Sequence, residues 1–194
     1  MPPSGQYVSN KFKPAVAFEV GQDWYLVPQE KPGLVMFETG PDPVRLGGQL
    51  IFTNPLIVFD PSNLSEPKEL PEPENDKEWV SWFQSHPNLD TSKPVPVSVG
   101  SASGMRIDVT DSSMPENFPR DLCGREPCVP LFRTDESITS DYGGGKAQYV
   151  IVEVGGETVI IYVATPADKF DEVLPKAQAV LDSVEWKGEN SGHS

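Results

Sequence analysis

The residues whose types and spacing could do chemistry are Cys123 and Cys128, the two cysteines of the chain. Four residues separate them, including Gly124 and Pro127. That spacing in a Gly/Pro-containing loop predicts a local disulfide. Loop-closure entropy for so short a ring gives about 2 kcal/mol of stabilisation. The bond would stiffen the loop, hold Leu131 and Phe132 against a sheet, and imply an oxidising compartment. A zinc site is the alternative, but it lacks ligands. There is no second cysteine pair, and the two histidines are His86, before a proline, and His193, in a polar tail. A thioredoxin-type motif has two intervening residues, not four.

Other patterns lose their chemistry on inspection. In Gly100-Ser101-Ala102-Ser103-Gly104 an alanine holds the position where a nucleophile elbow needs serine. Gly143-Gly144-Gly145-Lys146 is followed by Ala147, so the hydroxyl residue of a P-loop is missing. A Ser-His-Asp triad would have to use His86 or His193, and neither placement suits a general base. The acidic, proline-rich stretch 62–76 reads as a solvated connection, because prolines interrupt its carboxylates and the order of a calcium loop is absent. No catalytic residue, metal ligand or cofactor site is assigned. The segment 111–146 is long and irregular, a pattern often tied to function. Its Arg133, Asp141 and Tyr142 are the candidate binding residues, with ordinary loop residues as the plainer reading.

The elements that must position these residues centre on 147–186. Residues 148–154 (QYVIVEV) and 158–164 (TVIIYVA) are β-branched and aromatic runs around Gly155-Gly156, the signature of a hairpin. Both faces of both strands are mostly apolar, so they are expected as central strands covered on each side. Thr165-Pro166 reads as a helix start. Phe170, Val173, Leu174, Ala177, Leu181 and Val184 then form a helical stripe ending near Trp186, with Pro175 expected to kink or split it.

Upstream, strands are expected at 15–20, 24–27, 34–37, 49–53 and 56–59, with a polar loop at 39–48. Asn75 and Glu78 resemble a capping box. Trp79, Trp82 and Phe83 follow at helical spacing and predict a short helix packed on the sheet, ended by His86-Pro87. Residues 95–100 and 105–110 read as another hairpin.

The formal net charge of −14 opposes sequence-independent nucleic-acid binding and docking on anionic lipid. No apolar run is long enough for a transmembrane helix. The first residues lack the charged and apolar regions of a signal peptide. They read as a tail, 1–12, left after a removed signal or anchor, before a single globular domain at 13–187 and a disordered tail at 188–194.

Four segments together resemble a family of secreted or lipid-anchored bacterial domains of uncharacterised function: FKPAVAFEVGQDW, WVSWFQSHPNL, CGREPCVPLF, and the closing hairpin and helix ending in VLDSVEW. The hairpin-helix close is also similar to that of the PsbP-like group. That resemblance implies an α+β fold, an α/β/α sandwich with a central, mainly antiparallel sheet flanked by helices. It also implies an extracytoplasmic address, secreted or held at the outer face of the cell membrane. The group's members bind different things, so it transfers no functional residue. The expected role is a non-enzymatic binding or interaction domain, monomeric and without a cofactor. Its partner would be a protein or envelope component, with membrane contact only through the removed anchor. The alternatives are a carboxylate-dependent hydrolase and a cation-binding accessory domain.

Overall fold

A computed structural model describes residues 5–22, 24–27, 33–38, 47–64, 66–111, 114–135 and 137–187. The first half of the chain forms β1 (Gly5–Ser9), β2 (Ala15–Val20), β3 (Trp24–Val27), β4 (Leu34–Glu38), β5 (Gln49–Thr53), β6 (Ile57–Phe59), β7 (Glu69–Pro71), α1 (Asp76–Gln84) and β8 (Leu89–Thr91). The second half forms β9 (Val95–Val99), β10 (Ala102–Asp111), α2 (Arg120–Cys123), β11 (Val129–Arg133), β12 (Ile138–Asp141), β13 (Gly145–Val154), β14 (Glu157–Pro166), α3 (Phe170–Leu181) and β15 (Glu185–Lys187).

The main sheet runs β3-β4-β5-β14-β13-β10-β8, and β9 also pairs with β10. All its pairings are antiparallel. The hairpin read around Gly155-Gly156 is β13–β14, and it lies at the centre. Both glycines take positive φ, +62° and +87°, which suits a tight turn.

The hairpin is buried on both faces. Val150, Val152, Val154, Val159, Ile161 and Val163 share one core with β2, Trp186 and the α3 residues Val173, Ala177, Val180 and Leu181. On the opposite face, Tyr149, Ile151, Ile160 and Tyr162 pack with Trp79, Val80 and Phe83 of α1 and with Val129, Leu131 and Phe132 of β11. Each outer layer therefore holds a helix and a small sheet. These are β1-β2-β15 on the α3 side and β12-β11-β6-β7 on the α1 side. The expected sandwich is present, with antiparallel strands completing both of its outer layers.

Five expectations change. Thr165-Pro166 does not open a helix: both residues still pair in β14, and the helix proper begins at Phe170 after a 3-10 turn at Ala167–Lys169. Pro175 does not split α3, which runs unbroken to Leu181. Val184 and Trp186 are not its last turn. Trp186 belongs to β15, pairs with Val16, and donates its indole N–H to the Val99 carbonyl at 2.8 Å. Residues 5–12 also carry structure, since β1 pairs along β2 and Phe12 is buried. The segment 111–146 contains β11 and β12 where an irregular loop was expected. The tail at 188–194, with His193, and most of the loop 39–48 lie outside the described residues.

Local chemistry explains α1. The Asn75 side chain accepts from the Glu78 N–H at 3.0 Å, half of a capping box, while Glu78 accepts from the Glu74 N–H instead of returning to Asn75. His86, just past the helix, is buried edge-on to Trp82, and neither ring nitrogen has a hydrogen-bond partner. Desolvation lowers its pKa from 6.5 to about 4. Cys123, at the end of α2, and Cys128, just before β11, are joined as a disulfide with Cα atoms 5.5 Å apart. Leu131 and Phe132, which follow, are fully buried.

Three outcomes are expected. Gly104 of β10 faces Val152 so closely that an added Cβ would overlap the Ile151 carbonyl oxygen. Gly104→Ala should cost about 3 kcal/mol or more in urea unfolding, while Ser103→Ala, exposed next to it, should stay within about 0.5 kcal/mol.

Removing both cysteines (Cys123→Ser, Cys128→Ser) should cost about 2 kcal/mol, or about 4–8 °C in Tm by calorimetry. Wild type unfolded without reductant should titrate no free thiol.

For His86 the unfolded chain takes up the proton first, because the folded pKa lies below the unfolded one. Stability should therefore fall as pH drops from 6.5 towards about 4, by up to about 3 kcal/mol once both states are protonated. His86→Phe should lack this component of the pH–stability profile. Identical profiles for the two proteins would remove the assignment.

Candidate functional site

A cleft of about 650 Å³ opens where the main sheet extends past the edge strand β12. Its floor follows from the hairpin register. Tyr149 lies opposite Tyr162, and Ala147 lies opposite Ala164, two residues along on the same face. The tyrosine rings stack at 5.3 Å and fill the inner part, while the paired alanines leave a hollow beside them. Gln49 of β5 and Thr165-Pro166 of β14 close one side. The opposite wall is β12 and its turn into β13, from Ile138 through Tyr142 to the glycines.

Polar groups converge on this hollow. The Tyr162 hydroxyl lies 3.4 Å from the Thr139 hydroxyl. The Ser140 hydroxyl is buried and has no hydrogen-bond partner. Asp141 accepts the Gly143 N–H at 3.0 Å, which fixes its carboxylate at the start of the turn. Burial raises the Tyr149 pKa well above 10, and the nearby Tyr162 and Asp141 raise it further. Burial also raises that of Tyr162, with the Thr139 hydrogen bond opposing it. Both phenols are thus neutral donors at physiological pH.

The three candidate binding residues separate. Asp141 and Tyr142 line the cleft, and Tyr142 stands at its rim with 53% of its surface exposed. Arg133 does not line it. It leaves the far end of β11 and pairs with Glu69 of β7 at 2.6 Å, both side chains about half exposed. A surface pair of that kind contributes about 0–1 kcal/mol. The disulfide sits one strand back in the same layer, anchoring the start of β11, which in turn carries β12.

Tyr149, Tyr162, Thr139 and Ser140 are the residues that sequence reasoning missed. A signal for the first two existed. A two-residue turn at Gly155-Gly156 fixes the register, and that register sets Tyr149 opposite Tyr162 and Ala147 opposite Ala164.

Asp141 is the one carboxylate among the described lining residues, so the carboxylate pair of a hydrolase is not assembled here. Among the described residues no three His, Cys, Asp or Glu side chains are grouped to hold a metal ion. No helix among them is long and apolar enough to cross a membrane.

No protein-family model matches the sequence, and neither does any curated protein. Solved structures do match. A crystal structure from Bacteroides thetaiotaomicron VPI-5482 aligns with 98% of this chain and 51% of its own, at 10% identity and a TM-score of 0.50. The chain thus spans about half the length of that protein. The solution structure of cyanobacterial PsbP (CyanoP) from Synechocystis sp. PCC 6803 aligns over 96% of this chain and 95% of its own, at 10% identity and a TM-score of 0.46. LpqN of Mycobacterium tuberculosis, described as involved in cell envelope biogenesis, aligns over 94% and 84%, at 14% identity and a TM-score of 0.41. At these identities any likeness is one of fold, and the chain's own strand order and helices make it an α+β domain, mainly antiparallel.

Proposed function

We propose that this chain is a non-enzymatic, extracytoplasmic binding domain whose ligand occupies the cleft beside β12. The observation that carries this reading is the lining itself. A hollow of about 650 Å³ combines stacked phenols with small residues that keep it open. That volume lies within the range of small-ligand sites, about 300–1,000 Å³. Hydrolysis by paired carboxylates or by a nucleophile–histidine pair would need groups this lining does not bring together. The described lining supplies a single carboxylate and no histidine or cysteine.

The compartment is inferred from the disulfide, because cytosolic reductants keep such pairs open. The same bond gives the site rigidity, since it secures the strand next to the cleft wall. The acidic charge of −14 fits a domain kept soluble on its own. Arg133 falls outside the proposed contact surface, while Asp141 and Tyr142 stay within it.

A thermal-shift screen of polar small molecules tests this reading, run on wild type and on Ala164→Leu, which fills the floor of the hollow. A ligand present at about 100 times its Kd adds roughly 2.7 kcal/mol of stability. That should raise Tm by about 5–10 °C in a chain of this size. The leucine variant should keep the unliganded Tm and lose the shift. An equal shift in both proteins would place the ligand elsewhere and end the proposal for the cleft.

A further inference from the structure

We propose that the cleft beside β12 takes an extended peptide, which adds to the open edge of β12 as a further strand, an inference that rests on the binding role just assigned to this cleft. Among the described residues β12 pairs with β11 and with no strand on its other side. The backbone groups on that side can be identified. The Arg133 carbonyl, opposite Ile138, accepts the Leu56 N–H at 2.8 Å, so it points towards β6 and away from β12. Pro130, opposite Ser140, has no N–H to give. The Thr134 N–H donates to the Ser137 carbonyl at 2.9 Å, which sets the same phase from the turn. In an antiparallel ladder, residues that exchange bonds with the partner alternate with residues whose N–H and C=O face the other way. Thr139, opposite Phe132, therefore holds the bonds to β11, and Ile138 and Ser140 turn theirs to the open edge.

Proteins usually blunt such edges with proline or charge. Here β7 carries Pro71, β9 carries Pro96, and β15 sets Glu185 and Lys187 on either side of Trp186. β12, Ile138-Thr139-Ser140-Asp141, has neither proline nor lysine. β1 and β3 also lack them, but the cleft runs along β12. An added strand would lie about 4.8 Å outside β12, over the ends of β13 and β14. Side chains alternate across a strand, so every second one would point at the main sheet. There the paired Ala147 and Ala164 leave the hollow, between the tyrosine rings and Pro166. The occupant is thus held by its main chain at the edge and by an apolar side chain in the hollow, the two elements of strand addition. Proline at a paired position would exclude it, and the net charge of −14 selects against an acidic peptide.

The test is NMR of the full chain with capped peptides of about seven residues that alternate threonine with alanine, valine, leucine or phenylalanine between lysine ends. At least one should bind at a single saturable site with a Kd below about 1 mM. On binding, amide exchange at Ile138 and Ser140 should slow by about ten-fold or more, while Thr139, already bonded to β11, serves as the reference. The same peptide N-methylated at every residue should not bind. Ile138→Pro, at the first residue of the strand, removes one edge N–H and leaves the β11 ladder intact. Its unliganded Tm should hold while peptide affinity falls about five-fold. Should that variant be destabilised, the exchange data on wild type decide. Binding that leaves Ile138 and Ser140 unprotected, or that survives full N-methylation, would overturn the inference. So would the absence of saturable binding by every peptide of the set. If Ala164→Leu abolishes the shift from a small molecule while no peptide binds, the cleft stands as a binding site and strand addition is refuted.

Discussion

The structure depends on one constraint: the β13–β14 hairpin is apolar on both faces, and both must be covered. Val150, Val152 and Val154 point one way and Tyr149 and Ile151 the other, all at most a few per cent exposed. Each large side chain removed from water contributes roughly 1.5–3 kcal/mol, so no arrangement that leaves either face open can compete. The chain meets this by laying a helix and a small sheet on each side. It also meets it by packing β10 so tightly on β13 that position 104 has room only for glycine. Two separate cores result, with the sheet as their partition.

The cleft is where this cover ends. On the α1 side, β12 is the last strand of its layer, while β13 and β14 run on beneath and past it. The uncovered end changes character accordingly. Large aliphatic residues give way to Ala147 and Ala164, and then to Lys146 and Thr165. Tyrosine suits the boundary between buried and wet sheet, because its ring can be buried while its hydroxyl finds a polar partner. Tyr162 does this through Thr139. The site is thus the edge of the core, held open by small residues.

What was legible in the sequence follows the strength of local pattern. Ten-residue strands such as β13 and β14 show their period, and the Gly155-Gly156 turn sets their register. Helix α1 announced itself through Asn75 and its aromatic spacing. Three-residue strands such as β7, β8 and β15 contain no period to read. Trp186 was assigned to the helix because Phe170, Leu181 and Val184 lie at helical spacing before it. What decides its place is a pairing with Val16, 170 positions away, which no local window contains. Thr165-Pro166 misled for a related reason: a hydroxyl followed by proline also suits the last residues of a strand. The candidate site was half legible. Asp141 and Tyr142 were found because they sit in a glycine-rich turn. Arg133 was grouped with them by sequence distance alone, yet it leaves the opposite end of its strand.

The disulfide and the cleft can be connected by mechanics. A wall made from an edge strand is weak by nature, since β12 is paired on one side only. Its partner β11 carries Pro130, which cannot donate to the ladder, and the pairing shifts register between Pro130 and Phe132. Backbone hydrogen bonding alone would leave this wall soft. Two features counter that. Leu131 and Phe132 are fully buried, with Phe132 edge-on to both Trp79 and Tyr162. The Cys123–Cys128 bond closes the chain just ahead of β11, so the strand's entry point is fixed covalently. Tyr162 belongs to both systems: one side of its ring meets the packing that anchors the wall, and its hydroxyl meets Thr139 of the wall itself. Rigidity therefore reaches the cleft through a core tyrosine as well as along the strand, which gives an open hollow a fixed shape.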